Sequence, residues 1–138
     1  MINFKTIMKR LYTFTLLVLI GIAIHAQTFV CTDVSFYDSE LSDRQVQKRK
    51  QEALGSKATL SFFDKSLKIT TTDSDGDVDS AVLDKVSDNE YRAVLKSGQQ
   101  NEERLEIKLS KLFEYIRSFT LKSYKGYRLE VEATFKRD

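Results

Sequence analysis

Arg117 and Tyr115 are the two residues of this chain whose types and spacing best suggest chemistry. The alternate positions Phe113, Tyr115, Arg117, Phe119 and Leu121 are apolar or aromatic apart from one guanidinium. Alternate residues of a strand share a face, so the pattern aims a cation at whatever the other four cover. A charge held in such a place needs a partner, because an unpaired buried charge is costly. An anionic head group such as a fatty-acid carboxylate would supply one, with the Tyr115 hydroxyl as a neighbouring donor. Arg117 and Tyr115 are therefore the candidate ligand-binding residues. A β-bulge near Arg117-Ser118 is the competing reading, since it would turn the guanidinium outward. An internal Asp or Glu partner is the other.

A second group is Asp73, Asp75, Asp77 and Asp79, with Gly76 among them. Alternating aspartates are how short loops place several carboxylates on one calcium ion. Counted from Asp73, however, the sixth and twelfth positions hold Val78 and Asp84, where a helix-loop-helix calcium loop wants Gly and Glu. A solvated hairpin tip accounts for the same residues, and no metal is assigned. Lys48-Arg49-Lys50 spreads around a helix rather than forming a focused patch, and reads as a solvated face.

Catalytic chemistry has little to draw on. The one His, His25, and both Met, Met1 and Met8, fall in the first 26 residues. The remainder has no His, no Trp, no Pro and one Cys, Cys31. The commonest general base and metal ligand are thus missing from it. No Gly-x-Ser-x-Gly elbow or Gly-rich phosphate cradle is present. A hydrolase built on paired carboxylates is left open by composition alone. The expectation is a non-enzymatic domain without a cofactor.

Residues 1–26 read as an export signal. Lys5, Lys9 and Arg10 make a basic start, and Leu11–Ile24 is an apolar run too short for a comfortable membrane span. Cleavage after Ala26 would leave 27–138 as a single β-rich domain with no membrane span. The expected location is periplasmic or secreted. The formal charge of +2 then misleads. The leader holds three basic residues and no acid, leaving nineteen basic against twenty acidic residues, a net of −1. Nothing in that balance calls for nucleic acid. Thr28-Phe29-Val30 before Cys31 does not match a lipidation box. A lone Cys in an oxidising compartment either is buried or pairs between chains, and its apolar neighbours favour burial.

The rest of the chain alternates with period two. Tyr127–Lys136 puts Tyr127, Leu129, Val131, Ala133 and Phe135 on one face and charged residues on the other. Leu105, Ile107 and Leu109 alternate likewise, as do Tyr91, Ala93 and Leu95, although Val94 blurs the pattern. Ala58–Phe63 and Leu67–Thr72 are shorter strands about an Asp64-Lys65-Ser66 turn, and Ser80–Ser87 is a weaker one. The exception is about 42–54, where Ser42-x-x-Gln45 can form a capping box and Gly55 can stop a helix.

Short links between strands predict an up-and-down antiparallel meander of about eight strands, closed into a small barrel or half-barrel, with one helix after the first strand. Strand number and order are similar to those of the lipocalin-like group of small exported barrels. The Gly-x-Trp signature of true lipocalins is absent, so no family is assigned. Such a layout implies an interior lined by Tyr115, Phe119, Leu129 and Phe135, with Arg117 at its polar end, holding a small apolar or anionic ligand. The alternative is a fully packed core and an exposed aromatic patch that meets an envelope protein.

Overall fold

The computed structural model describes residues 27–96 and 102–138; the expected export signal lies outside them. Eight antiparallel strands run in sequence order around a closed barrel. They are β1 (Gln27–Phe36), β2 (Lys57–Phe62), β3 (Ser66–Thr72), β4 (Val78–Ser87), β5 (Glu90–Lys96), β6 (Glu103–Leu112), β7 (Tyr115–Lys125) and β8 (Arg128–Arg137). Helix α1 (Asp43–Ala53) lies between β1 and β2. The expected meander, its closure and its inserted helix are all present.

The inner face carries the alternating apolar residues of each strand. Phe29, Leu60, Leu67, Leu83, Ile107 and Phe119 are almost wholly buried. Phe119 stacks on Phe135 at 4.7 Å and meets the edge of Phe29 at 5.1 Å. These three aromatics fill one end of the barrel, the end that carries the β2–β3, β4–β5 and β6–β7 turns. The outer face is charged instead. Arg92, Glu106, Lys122 and Glu132 stand directly opposite one another across β5 to β8, so unlike charges alternate around the wall. Arg92 lies 3.1 Å from Glu106. Exposed pairs of this kind contribute about 0.2–1 kcal/mol each. Apolar inside and charged outside is the reverse of a lipid-facing barrel. Among the described residues no helix is long and apolar enough to cross a membrane.

Helix α1 forms where its caps say it should. The Ser42 side chain accepts from the Gln45 amide, and the Gln45 side chain accepts from the Ser42 amide. At the other end Gly55 takes φ 84°, a conformation that favours glycine. Its amide donates to the Cys31 carbonyl at 3.0 Å, fastening the helix end to β1. No residue of α1 is buried and only Ala53 packs partly against the core, so the cap carries much of its stability. Replacing Ser42 with alanine should cost the helix about 1 kcal/mol. We expect amide exchange across Asp43–Ala53 to quicken about fivefold while the global unfolding midpoint barely moves. Unchanged exchange would mean that tertiary contacts, not the cap, hold the helix.

Cys31 is buried on β1, with its thiol 3.5 Å from the Asp33 carbonyl. Burial pushes the thiol above its ordinary range, and the nearby Asp33 charge adds to the effect. The unfolded chain therefore releases this proton first. Stability from Cys31 is complete below the ordinary thiol value of about 8.5 and is lost as pH rises beyond it. Urea midpoints from pH 7 to 10 should fall more steeply for the native chain than for Cys31→Ala. Parallel curves would remove the thiol from the account.

Candidate functional site

The structure places Arg117 on the outside. In the pairing of β6 with β7, Ser110 faces Ser118 and Lys111 faces Ile116, which leaves Arg117 as the extra residue of a β-bulge. The bulge shifts the alternation by one position. Ile116 and Phe119 are buried, while Tyr115 and Arg117 are exposed. Arg117 borders only a shallow surface recess with Ser110, Ser118 and Lys136. The expectation of an inward guanidinium at position 117 is corrected, for the reason the bulge reading gave. Phe119 and Phe135 stack on one another at the packed end, and Leu129 lies towards the other end of β8, opposite Tyr124.

Tyr115 does meet an arginine, but it is Arg137. That guanidinium lies 4.1 Å from the Tyr115 ring centre and 5.7 Å from that of Phe29. Its Nε donates to the Ile116 carbonyl at 3.1 Å, and a terminal nitrogen donates to the Gln27 side chain. Arg137 is thus already engaged by two acceptors and two aromatic faces. It closes the packed end of the barrel rather than waiting for a ligand. The signal was present in the sequence: Val131, Ala133 and Phe135 continue by period two onto Arg137.

The open space lies at the opposite end, where α1 and the β3–β4 loop sit. A recess of about 450 Å³ is bounded by Ile69, Thr71, Ala81, Leu95, Leu105 and Leu121, with Asp79 and Ser80 at its edge. The register places Ile69 opposite Ala81 and Thr71 opposite Asp79, both pairs on the inner face. Leu121 faces Ile107 on β6 and Ala133 on β8. The recess is therefore the unfilled upper half of the lumen. An eight-stranded barrel is just wide enough to be filled by side chains or to hold one small ligand. Here three aromatic rings fill one half, while the small side chains of Ala81 and Thr71 among the aliphatic lining leave space in the other.

A neighbouring recess of about 400 Å³ lies between α1 and the β3–β4 loop, lined by Glu52, Asp73, Asp77 and Asp79. The expected hairpin tip is what forms there. Asp73 Oδ1 accepts from the amides of Asp75 and Asp77, each at 2.9 Å, so the loop uses this carboxylate for its own turn. Among the described residues no three acidic, His or Cys side chains converge closely enough to hold a metal ion. A third hollow, about 250 Å³ on the outer wall, is lined by Glu90, Arg92, Glu106, Lys108, Lys122 and Glu132. Those charges alternate in sign and neutralise one another, which leaves the luminal recess as the candidate site. No protein-family model and no curated protein sequence matches this chain.

Proposed function

We propose that this chain is exported through its leader and that its β-barrel carries a small apolar ligand in the open half of the lumen, without catalysis. The observation that supports the reading most directly is the recess of about 450 Å³ walled by Ile69, Ala81, Leu95, Leu105 and Leu121. Aliphatic walls of this kind gain roughly 25 cal/mol for each Å² of apolar ligand surface they remove from water. The anionic ligand implied by an inward Arg117 has no support in the position of that side chain, and the guanidinium at the packed end is already engaged by Ile116 and Gln27. What remains is a ligand held by apolar contact. The absence of His from residues 27–138 also fits a carrier better than an acid–base catalyst.

The test is a native mass spectrum of the full chain recovered from its exported fraction. A mass excess that disappears on denaturation is the expected result, with N-phenyl-1-naphthylamine brightening when added to stripped protein. A bare mass together with no fluorescence gain would overturn the reading.

One observation favours a second reading, a protein partner. Phe113 is 93% exposed at the tip of the β6–β7 turn, flanked by the half-exposed Leu112 and Tyr115. Its φ of 57° lies in the left-handed region, which bulky residues seldom adopt and which costs of order 1–3 kcal/mol. A turn that tolerates such strain to display an aromatic ring would suit an interface anchor. Capture of an envelope protein that Phe113→Gly abolishes, with the ligand tests negative, would favour this second reading.

A further inference from the structure

The wall of the barrel is unevenly stitched around the luminal recess. Strand β4 pairs with β3 along its upper half, as far as Thr72↔Val78. Strand β5 pairs with β6 as far as Lys96↔Glu103. Yet β4 and β5 pair with each other only through Asp84↔Arg92, Lys85↔Tyr91 and Ser87↔Glu90. Above Asp84 and Arg92 the described residues of the two strands share no registered pair. Four residues of β5, from Ala93 to Lys96, span roughly 13 Å at about 3.3 Å per residue. Leu83 and Ala93 are both buried and close the bottom of this seam.

The other incompletely paired junction is treated differently. Strands β1 and β2 stop pairing at Val30↔Lys57. There the Ser56 carbonyl accepts from the Cys31 amide at 2.9 Å, and the Gly55 amide donates to the Cys31 carbonyl. The chain leaving α1 thus continues the edge that β2 does not reach. Nothing among the described residues bridges β4 and β5 in this way.

The lips of the seam also differ from the rest of the outer wall. Val82 is 58% exposed on β4 and Val94 is 53% exposed on β5, with Val78 further up β4. Continued upward from Asp84↔Arg92, the same register sets Val82 against Val94. Leu95 is the extra residue of a bulge on β5. It is half exposed and yet borders the recess, and so does Ser80, an outward position opposite Thr70. Residues of the outer and inner faces therefore border one space, so the recess opens sideways through the seam. Elsewhere the outer wall at this level carries Arg104, Glu106 and Lys122. Apolar lips on a charged wall provide a path along which an apolar molecule is not forced to cross a ring of hydrated charge.

We propose that the seam between β4 and β5 is the portal through which an apolar ligand reaches the lumen, with Val82 and Val94 as its lips and Leu95 as the side chain it passes. The inference rests on the carrier reading and adds the route. The ligand passes between the strands rather than through the end of the barrel. Parting the strands here breaks no registered pair, whereas any other junction on the β3 or β6 side would have to give up several.

The test is kinetic. In Val82→Cys/Val94→Cys, with Cys31→Ala to leave only two thiols, a short bis-maleimide ties the lips together. Binding of N-phenyl-1-naphthylamine is then followed by stopped flow with and without the tie. Association and dissociation should both slow at least tenfold in the tied protein, with the equilibrium affinity changed less than threefold. Val82→Glu/Val94→Lys provides a clasp that needs no crosslinking and should slow entry several-fold at low salt, with recovery at high salt. Binding at unchanged rates in both variants would overturn the portal and leave the carrier reading standing. No binding by the native chain would overturn the carrier reading and the portal with it.

Discussion

Truncating Phe119 to alanine is expected to destabilise the barrel by about 3–5 kcal/mol, the largest loss from any single substitution considered for this chain. The ring sits at the junction of β7 with β6 and β8, opposite Leu109 and Phe135. It is 1% exposed and touches Phe29 edge-on and Phe135 face-on. Alanine would remove the transfer energy of the ring and both aromatic contacts, each worth about 0.5–1.5 kcal/mol beyond its area. It would also leave a cavity that closed strands cannot collapse to fill. For a domain whose total stability is about 5–15 kcal/mol, such a loss threatens the fold itself. Urea unfolding monitored by far-ultraviolet circular dichroism measures it. A midpoint shift worth under 1 kcal/mol would mean that the aromatic end is not the cohesive half of the barrel.

The division between a cohesive end and an open end was only half legible in the sequence. Period two reports which residues share a face, so the eight strands, their meander and most of the core followed from it. The helix followed from its caps, since Ser42 and Gln45 act through local bonds that need no tertiary context and Gly55 through its own backbone conformation. What period two cannot report is where a strand takes in an extra residue. One bulge at Arg117 moved the candidate cation from the lumen to the surface, and another at Leu95 brought a half-exposed side chain to the rim of the recess. A third, between Ser123 and Tyr124, disturbs the β7–β8 register beside Leu129. In each case the bulge residue is an ordinary one, neither Gly nor Pro, so composition carries no mark of it. The strand ends were missed for a related reason. Reading β8 as Tyr127–Lys136 gave the inner face to Tyr127, which is wholly exposed in the turn, and stopped one residue short of Arg137.

Two alanines on the inner wall allow the open half to be tested without any ligand. Ala58 on β2 is fully buried between Phe29 on β1 and Thr71 on β3, and Ala81 on β4 faces the recess. Phenylalanine at Ala58 must displace packed neighbours, and overpacking of that kind costs typically about 1–3 kcal/mol. At Ala81 the same ring has about 450 Å³ to enter. It should therefore leave stability within about 0.5 kcal/mol of the native chain, or raise it by burying apolar surface against Leu105 and Leu121. The two variants are chemically identical additions to one residue type on one face, so their difference isolates the space available. Equal losses at both positions would mean that the upper lumen is closed in solution. If the carrier reading holds as well, Ala81→Phe should lower the affinity for N-phenyl-1-naphthylamine more than tenfold, because the ring occupies the volume the probe needs. Stability and affinity then move in opposite directions in a single variant, which a loss of folding cannot reproduce.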